Sequence, residues 1–318
     1  MNIDKELQPL INIWIPLFDN NYKEKRIEVY KRPYLATIDF ITHAISEITN
    51  SSKDEQMKPP WFGHWYKNAY HWYEENYGEA LKKKGINTIK TFTIIDRIPY
   101  CVDIPNKKSE KQNNEESWLI IPNNVHDDEP VMSWIINKPT RTVIDKNDIE
   151  NDIIKKTNLL RNIWVNLLIT GFEEEKNDLY IKSIFDHITI FSDDIINNFH
   201  RGLTNSIWEL NLAVEKAIKI NLISKKAKFD YTHDVNKLYK IFLEMNKGVN
   251  DITITFLPSG KDAVKYRYAE LIEKDLFNIN LMYFESLEII NIALENIDKK
   301  IKAKNPKFLI RNPFYTGK

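Results

Sequence analysis

The chain has 318 residues, enough for two domains of ordinary size, and its 42% hydrophobic and 12% aromatic content excludes global disorder. Basic and acidic residues number 45 each, which removes the large basic excess of a dedicated nonspecific nucleic-acid binder but still allows a local basic patch. The single cysteine, Cys101, excludes an intramolecular disulfide and a Cys-based zinc site.

The start Met1–Glu6 carries charges and is not followed by an apolar run of signal-peptide length. No stretch has the length of a transmembrane helix; the nearest approach, Leu159 to Phe172, is interrupted by Arg161 and Asn162. The expectation is a soluble cytoplasmic protein that does not engage a membrane.

In chain order, residues 1 to about 50 read as helical, with Ile41, Ala44, Ile45 and Ile48 at helical spacing. Asn50-Ser51-Ser52 closes the segment, and Pro59-Pro60 leads stiffly into the next. From Trp61 to Leu81 aromatics are dense, with Trp61, Trp65 and Trp72 on one side of a helix. That face either fills a core or stacks bases. His64 and His71 lie two turns apart, about 10 Å, too far to share one metal.

After Lys82-Lys83-Lys84-Gly85 the pattern becomes β. Thr88–Ile95 and Tyr100–Ile104 read as strands joined by the turn Asp96-Arg97-Ile98-Pro99. Residues 105–117 are polar and read as a mobile hairpin tip or loop. Trp118–Ile121 makes a third strand ended by Pro122, completing a small antiparallel meander, and Thr142-Val143-Ile144 offers another short strand.

Helical pattern resumes near Asp148, with an apolar stripe through Ile153, Ile154, Leu160, Ile163, Trp164, Leu167 and Leu168, ended by Gly171 and Glu173-Glu174-Glu175. Residues 178–300 are helical with breaks at 226–231, at 248–259 and near Ser192, and there is no internal repeat. A boundary between Gly171 and Ser192 gives a mixed α/β N-terminal domain, 1–180, and a helical domain, 181–318. The expected fold class is α+β, mainly α: a small antiparallel sheet in the first domain and an antiparallel helical bundle in the second.

Within the bundle, Leu203, Ile207, Leu210, Val214, Ala217, Ile218 and Leu222 alternate spacings of three and four, with Glu209, Lys216 and Lys219 off that stripe. Asp234–Leu243 repeats the theme with Val235, Leu238, Ile241 and Phe242, and Thr232 is placed to cap that helix. Leu271–Ile297 reads as a long closing helix.

Three motifs in this region carry a resemblance. The run Leu212-Ala213-Val214-Glu215-Lys216-Ala217-Ile218-Lys219 is followed by Thr232-His233-Asp234-Val235-Asn236-Lys237-Leu238 and then by Arg267-Tyr268. In residue type, order and spacing they resemble HEPN domains, over roughly residues 195–300. The resemblance implies a helical bundle that often forms a homodimer and binds nucleotides or RNA, or cleaves RNA. It also implies a toxin–antitoxin or antiviral defence setting, with a protein partner such as a nucleotidyltransferase. RNase members carry Arg, then four to six intervening residues, then His on one helix. This chain lacks that spacing: Arg32 and His43 lie further apart and outside the module, and His200-Arg201 is adjacent and reversed.

The candidate ligand-binding residues are therefore Lys216, Lys219, His233, Arg267 and Tyr268, with His233 and Arg267 as the candidate catalytic pair. Lys216 and Lys219, three apart, share a helix face. His233 opens a helix whose amide-rich start favours anions. The alternative assigns the lysines to solvated surface charge, His233 and Asp234 to capping, and Arg267 to an ion pair with Glu215 or Asp234. His126-Asp127-Asp128-Glu129 reads as a polar turn rather than a metal site, and Ser259-Gly260-Lys261 as a helix connection rather than a phosphate loop. No metal and no cofactor is called for.

The leading expectation is a binding protein for a nucleotide, RNA or a protein partner. The alternatives are a metal-independent endoribonuclease toxin using His233 or His200 with Arg267, and a non-enzymatic scaffold.

Overall fold

A computed structural model describes residues 3–25, 27–45, 52–58, 61–81, 88–113, 116–140, 142–170, 175–229, 232–297 and 304–311. The fold is α+β and mainly α, with two small antiparallel sheets. Its residues form two compact units, each with its own core. One is Met1–Asn87, Ser109–Leu119 and Lys307–Lys318; the other is Thr88–Lys108 and Ile120–Pro306. The sequence-based division at 180/181 falls inside a helix, Glu175–Asn198.

In the first unit, α1 (Ile3–Glu24), α2 (Arg32–Phe40), a π turn (Ile41–Ile45), α3 (Lys53–Gln56) and α4 (Trp61–Tyr77) follow one another. The aromatic run resolves into a core face. Trp65, Ala69 and Tyr73, at spacings of four, are buried with Ile11, Ile15, Phe40 and Ile41. Trp65 donates its indole N–H to Gln56 at 2.9 Å, so the ring is buried without an orphaned donor. His64 contacts Asn68, and exposed His71 pairs with Glu74 and Glu75. Asp19 is buried between Arg32, at 3.0 Å, and the Tyr77 hydroxyl. Ile48, Asn50, Ser51, Pro59, Pro60 and the Lys82–Gly85 run lie outside the described residues.

In the second unit, β1 (Thr88–Ile95) pairs antiparallel with β2 (Ile98–Pro105). The turn is shorter than the four residues expected: only Asp96 (φ 51°) and Arg97 (φ 65°) lie between the strands, both left-handed. That is the backbone twist a two-residue hairpin requires. The polar segment after it contains a strand, β3 (Lys108–Lys111), which pairs with β4 (Glu116–Ile120), and β4 in turn pairs with β5 (Lys307–Arg311); this sheet belongs almost wholly to the first unit. β4 is thus not the third strand of the β1–β2 sheet. Thr142–Ile144 is not a strand: the Asp96 carboxylate accepts from the Val143 N–H at 3.2 Å and the Thr142 hydroxyl at 3.3 Å.

α5 (Lys146–Ile169), N-capped by Asp145, and α6 (Glu175–Asn198) both pack against β1. α6 runs through Ser192, and the break comes after Asn198. Two buried cations tie α5 to its surroundings. Lys156 donates to the Phe92 carbonyl and to Asp152, both at 2.9 Å, and burial pushes its ammonium pKa down against the pull of Asp152. Arg161, which broke the apolar stripe in the sequence, makes a two-pronged pair with Glu129 at 2.8 and 2.6 Å. It also donates to the carbonyls of Pro105 and Asn124. The His126–Glu129 turn is thus the built anionic partner of Arg161.

The centre of this unit is α7 (Asn205–Ser224), which contacts α6, α8 (Val235–Met245), α9 (Gly260–Arg267) and α10 (Leu276–Glu295). Its predicted stripe is buried, and burial continues round the helix to Asn211, Glu215, Lys219 and Asn221. The closing helix begins at Leu276, because Leu203 and Glu273 exchange backbone hydrogen bonds at 2.7 and 3.0 Å that hold the preceding segment extended. No described helix is long and apolar enough to cross a membrane.

Candidate functional site

Four of the five predicted site residues meet around one face of α7, and the fifth faces elsewhere. Trp208, Glu215 and Lys219 fall on one side, at spacings of seven and four residues. Glu215 is buried and reaches Lys219 Nζ with one oxygen at 2.6 Å and His233 Nδ1 with the other at 3.0 Å. Lys219 is therefore not a solvated charge. Because the carboxylate accepts, Nδ1 carries the proton, which leaves Nε2 as the other ring nitrogen available for chemistry. The His233 side chain is 57% exposed.

The ring of His233 lies 5.5 Å from that of Trp208, and the Arg267 guanidinium lies over the same indole at 5.3 Å. The exposed Tyr268 ring is 5.6 Å from the guanidinium. Arg267 makes no ion pair with Glu215, Asp234 or any other described residue. Its charge is held by aromatic faces rather than neutralised, the arrangement that suits planar stacking and phosphate contact.

Local sequence explains the placement, with two corrections. Asp234, not Thr232, caps α8 by accepting from the Lys237 N–H, while Thr232 accepts from the Asp234 N–H at 3.1 Å. This turn presents His233 toward Glu215. The family resemblance implies an Arg-Tyr pair that opens a helix, but Arg267 and Tyr268 close α9: Ser259 caps its start and Tyr268 follows its last residue. Gly260 permits close packing there, since an added Cβ would lie 3.1 Å from the Asp234 side chain.

Lys216 points to α6 instead. Its ammonium lies 2.7 Å from both Ser183 Oγ and His187 Nε2, and His187 Nδ1 meets Glu209 at 2.5 Å. Desolvation lowers its pKa, against the opposing charges of Glu209, Glu215 and Asp186. Lys216 and Lys219 thus belong to two different polar clusters.

Asn211 lies on the same side of α7 as Glu215, fully buried, and neither its amide nitrogen nor its oxygen has a partner among the described residues. Trp208 and Glu215 are the members of the arrangement that the motifs did not single out as ligands. Among the described residues no group of three or more His, Cys, Asp or Glu side chains has metal-binding geometry. No protein-family model, curated protein or solved structure matches the chain.

Proposed function

We propose that the chain is a HEPN-like binding protein of a defence or toxin–antitoxin system, acting as a homodimer or with a protein partner in the cytoplasm. Its surface of His233, Arg267 and Tyr268, backed by the buried Trp208, takes RNA or a nucleotide. The observation that carries this reading is the Arg267 guanidinium, unpaired and seated over Trp208 beside an exposed His233. A guanidinium supplies a bidentate phosphate contact, and the neighbouring Tyr268 offers a face on which a base stacks. Buried Glu215 and Lys219 set the surface from beneath: their charges offset each other, which leaves the outer groups net cationic.

A second reading, metal-independent RNA cleavage, is favoured by one contact. Glu215 on Nδ1 fixes His233 in the tautomer whose Nε2 can take a proton from a ribose hydroxyl, with Arg267 available to a phosphate. Incubation of the purified chain with a mixed RNA pool separates the two. Retention of intact RNA that is lost in Arg267→Ala supports binding. Cleavage lost in both His233→Ala and Arg267→Ala supports the nuclease. Neither retention nor cleavage at any protein concentration would overturn both.

A further inference from the structure

A second feature of the larger unit lies apart from the His233 cluster. A cavity of about 680 Å³ opens between the β1–β2 turn, the end of α6 and the start of α10. It is lined by Ile94, Arg97, Phe199, His200, Lys274–Phe277 and Asn280. The volume falls within the range of small-molecule sites, roughly 300–1,000 Å³.

Its chemistry is divided. Arg97, His200 and Lys274 line it; all three are exposed, and none of their side chains has an ion pair or hydrogen bond among the described residues. The one carboxylate lining the cavity, Asp275, is engaged in capping the Phe277 N–H at 2.9 Å. The start of the 20-residue helix α10 borders the same space, its leading amides met by Asp275 and by Glu273, whose carboxylate accepts from the Lys274 and Asp275 N–H groups at 2.8 Å. Opposite in character are Ile94, Phe199, Leu276 and Phe277, the last 68% exposed.

The backbone is arranged to hold these groups. Gly202 (φ 80°) approaches so closely that an added Cβ would lie 2.3 Å from Ile272 Cγ2. With the Leu203–Glu273 bridge, this fixes His200 next to Lys274. Arg97 occupies a left-handed turn position where Gly is the favoured residue, so its side chain is kept at a backbone cost of about 1 kcal/mol.

We propose that this cavity binds a free nucleoside phosphate, with the phosphate on Arg97, His200 and Lys274 and the base against Phe277. Three cationic or protonatable groups without a side-chain partner match a dianionic phosphate, and the exposed aromatic ring matches a planar base. The site is independent of the Arg267 surface.

The test is isothermal titration of the full chain in an Arg267→Ala background, so that failure here is distinguishable from failure of the Arg267 reading. AMP, adenosine and inorganic phosphate are the probes. The expected result is AMP binding that saturates below about 1 mM, with adenosine and phosphate each at least about tenfold weaker. Arg97→Gly removes the side chain while relieving the turn, so it keeps the fold, and it weakens AMP about tenfold or more. Phe277→Ala weakens AMP but not phosphate. Absence of AMP binding, AMP binding unchanged by Arg97→Gly, or phosphate or adenosine binding as tightly as AMP would each overturn the proposal.

Discussion

Glu215, buried in the middle of α7, holds the exposed ring of His233 through its Nδ1 nitrogen at 3.0 Å, across 18 residues of sequence. The same carboxylate neutralises Lys219 at 2.6 Å, so one side chain both satisfies a buried cation and orients a surface imidazole. Glu215→Gln leaves the lysine charge buried without its anion, and the expected loss is about 3 kcal/mol. His233→Ala, removing an exposed ring, is expected to cost less than about 1 kcal/mol. Urea denaturation of both variants checks the contrast, and equal losses would contradict this division of roles.

The Arg161–Glu129 pair predicts a particular acid sensitivity. Burial works to raise the Glu129 carboxyl, but hydrogen bonds from Arg161 and from the His126 N–H outweigh it and hold its pKa below the usual range. A carboxylate depressed in the folded state contributes stability that is complete above its unfolded pKa, about 4.3. That contribution is lost as pH falls through the lower folded value. Asp19 behaves in the same sense: burial works to raise its carboxyl, and Tyr77, Lys23 and Arg32 outweigh it and hold the pKa below its usual value. The unfolding midpoint of the wild type should therefore fall steeply below about pH 4.3. Glu129→Gln should be less stable at neutral pH and show a shallower acid slope.

Gly202 carries a backbone requirement that no other residue meets. Gly202→Ala must adopt φ near 80° and place a methyl against Ile272. The expected cost is about 2–3 kcal/mol, read as a lowered thermal midpoint. An alanine variant as stable as wild type would show that the Phe199–Leu203 segment is free to shift.

Lys216 supplies a separate test of which α7 face matters. It is held by Ser183 and His187 on α6, away from the Arg267 cluster. Lys216→Met keeps its length and removes a charge that desolvation already disfavours, so stability should change by less than about 1.5 kcal/mol. RNA affinity should be unaffected, as measured by filter retention. A large loss of affinity would place Lys216 in the binding surface after all.

How much of this was legible in the sequence differs by feature. The apolar stripe of α7 was readable because Ile207, Leu210, Val214, Ala217 and Ile218 repeat at helical spacing and are all buried. The Glu215–Lys219 pair obeys the i, i+4 rule, yet spacing alone cannot say that both are buried. Trp208 lay on that same face, visible as a spacing of seven from Glu215, but a tryptophan at core spacing reads first as packing. The division of Lys216 from Lys219 was not readable: three residues along a helix is about 60° of rotation from alignment, and only the neighbours decide which side each joins. β3 was hidden because its residues Lys108–Lys111 are mostly exposed and polar, leaving no hydrophobic alternation to detect. The cavity drew on three separate segments, so no local spacing announced it.

The central claim is that Arg267, seated over Trp208, contacts a nucleic-acid phosphate. Its most direct test is fluorescence anisotropy of a labelled single-stranded RNA against salt, for wild type and for Arg267→Ala. The account predicts that the variant binds at least about tenfold more weakly, and that the slope of log affinity against log salt falls by about 0.7, one phosphate contact. Wild-type binding with the same affinity and salt slope as Arg267→Ala would contradict it.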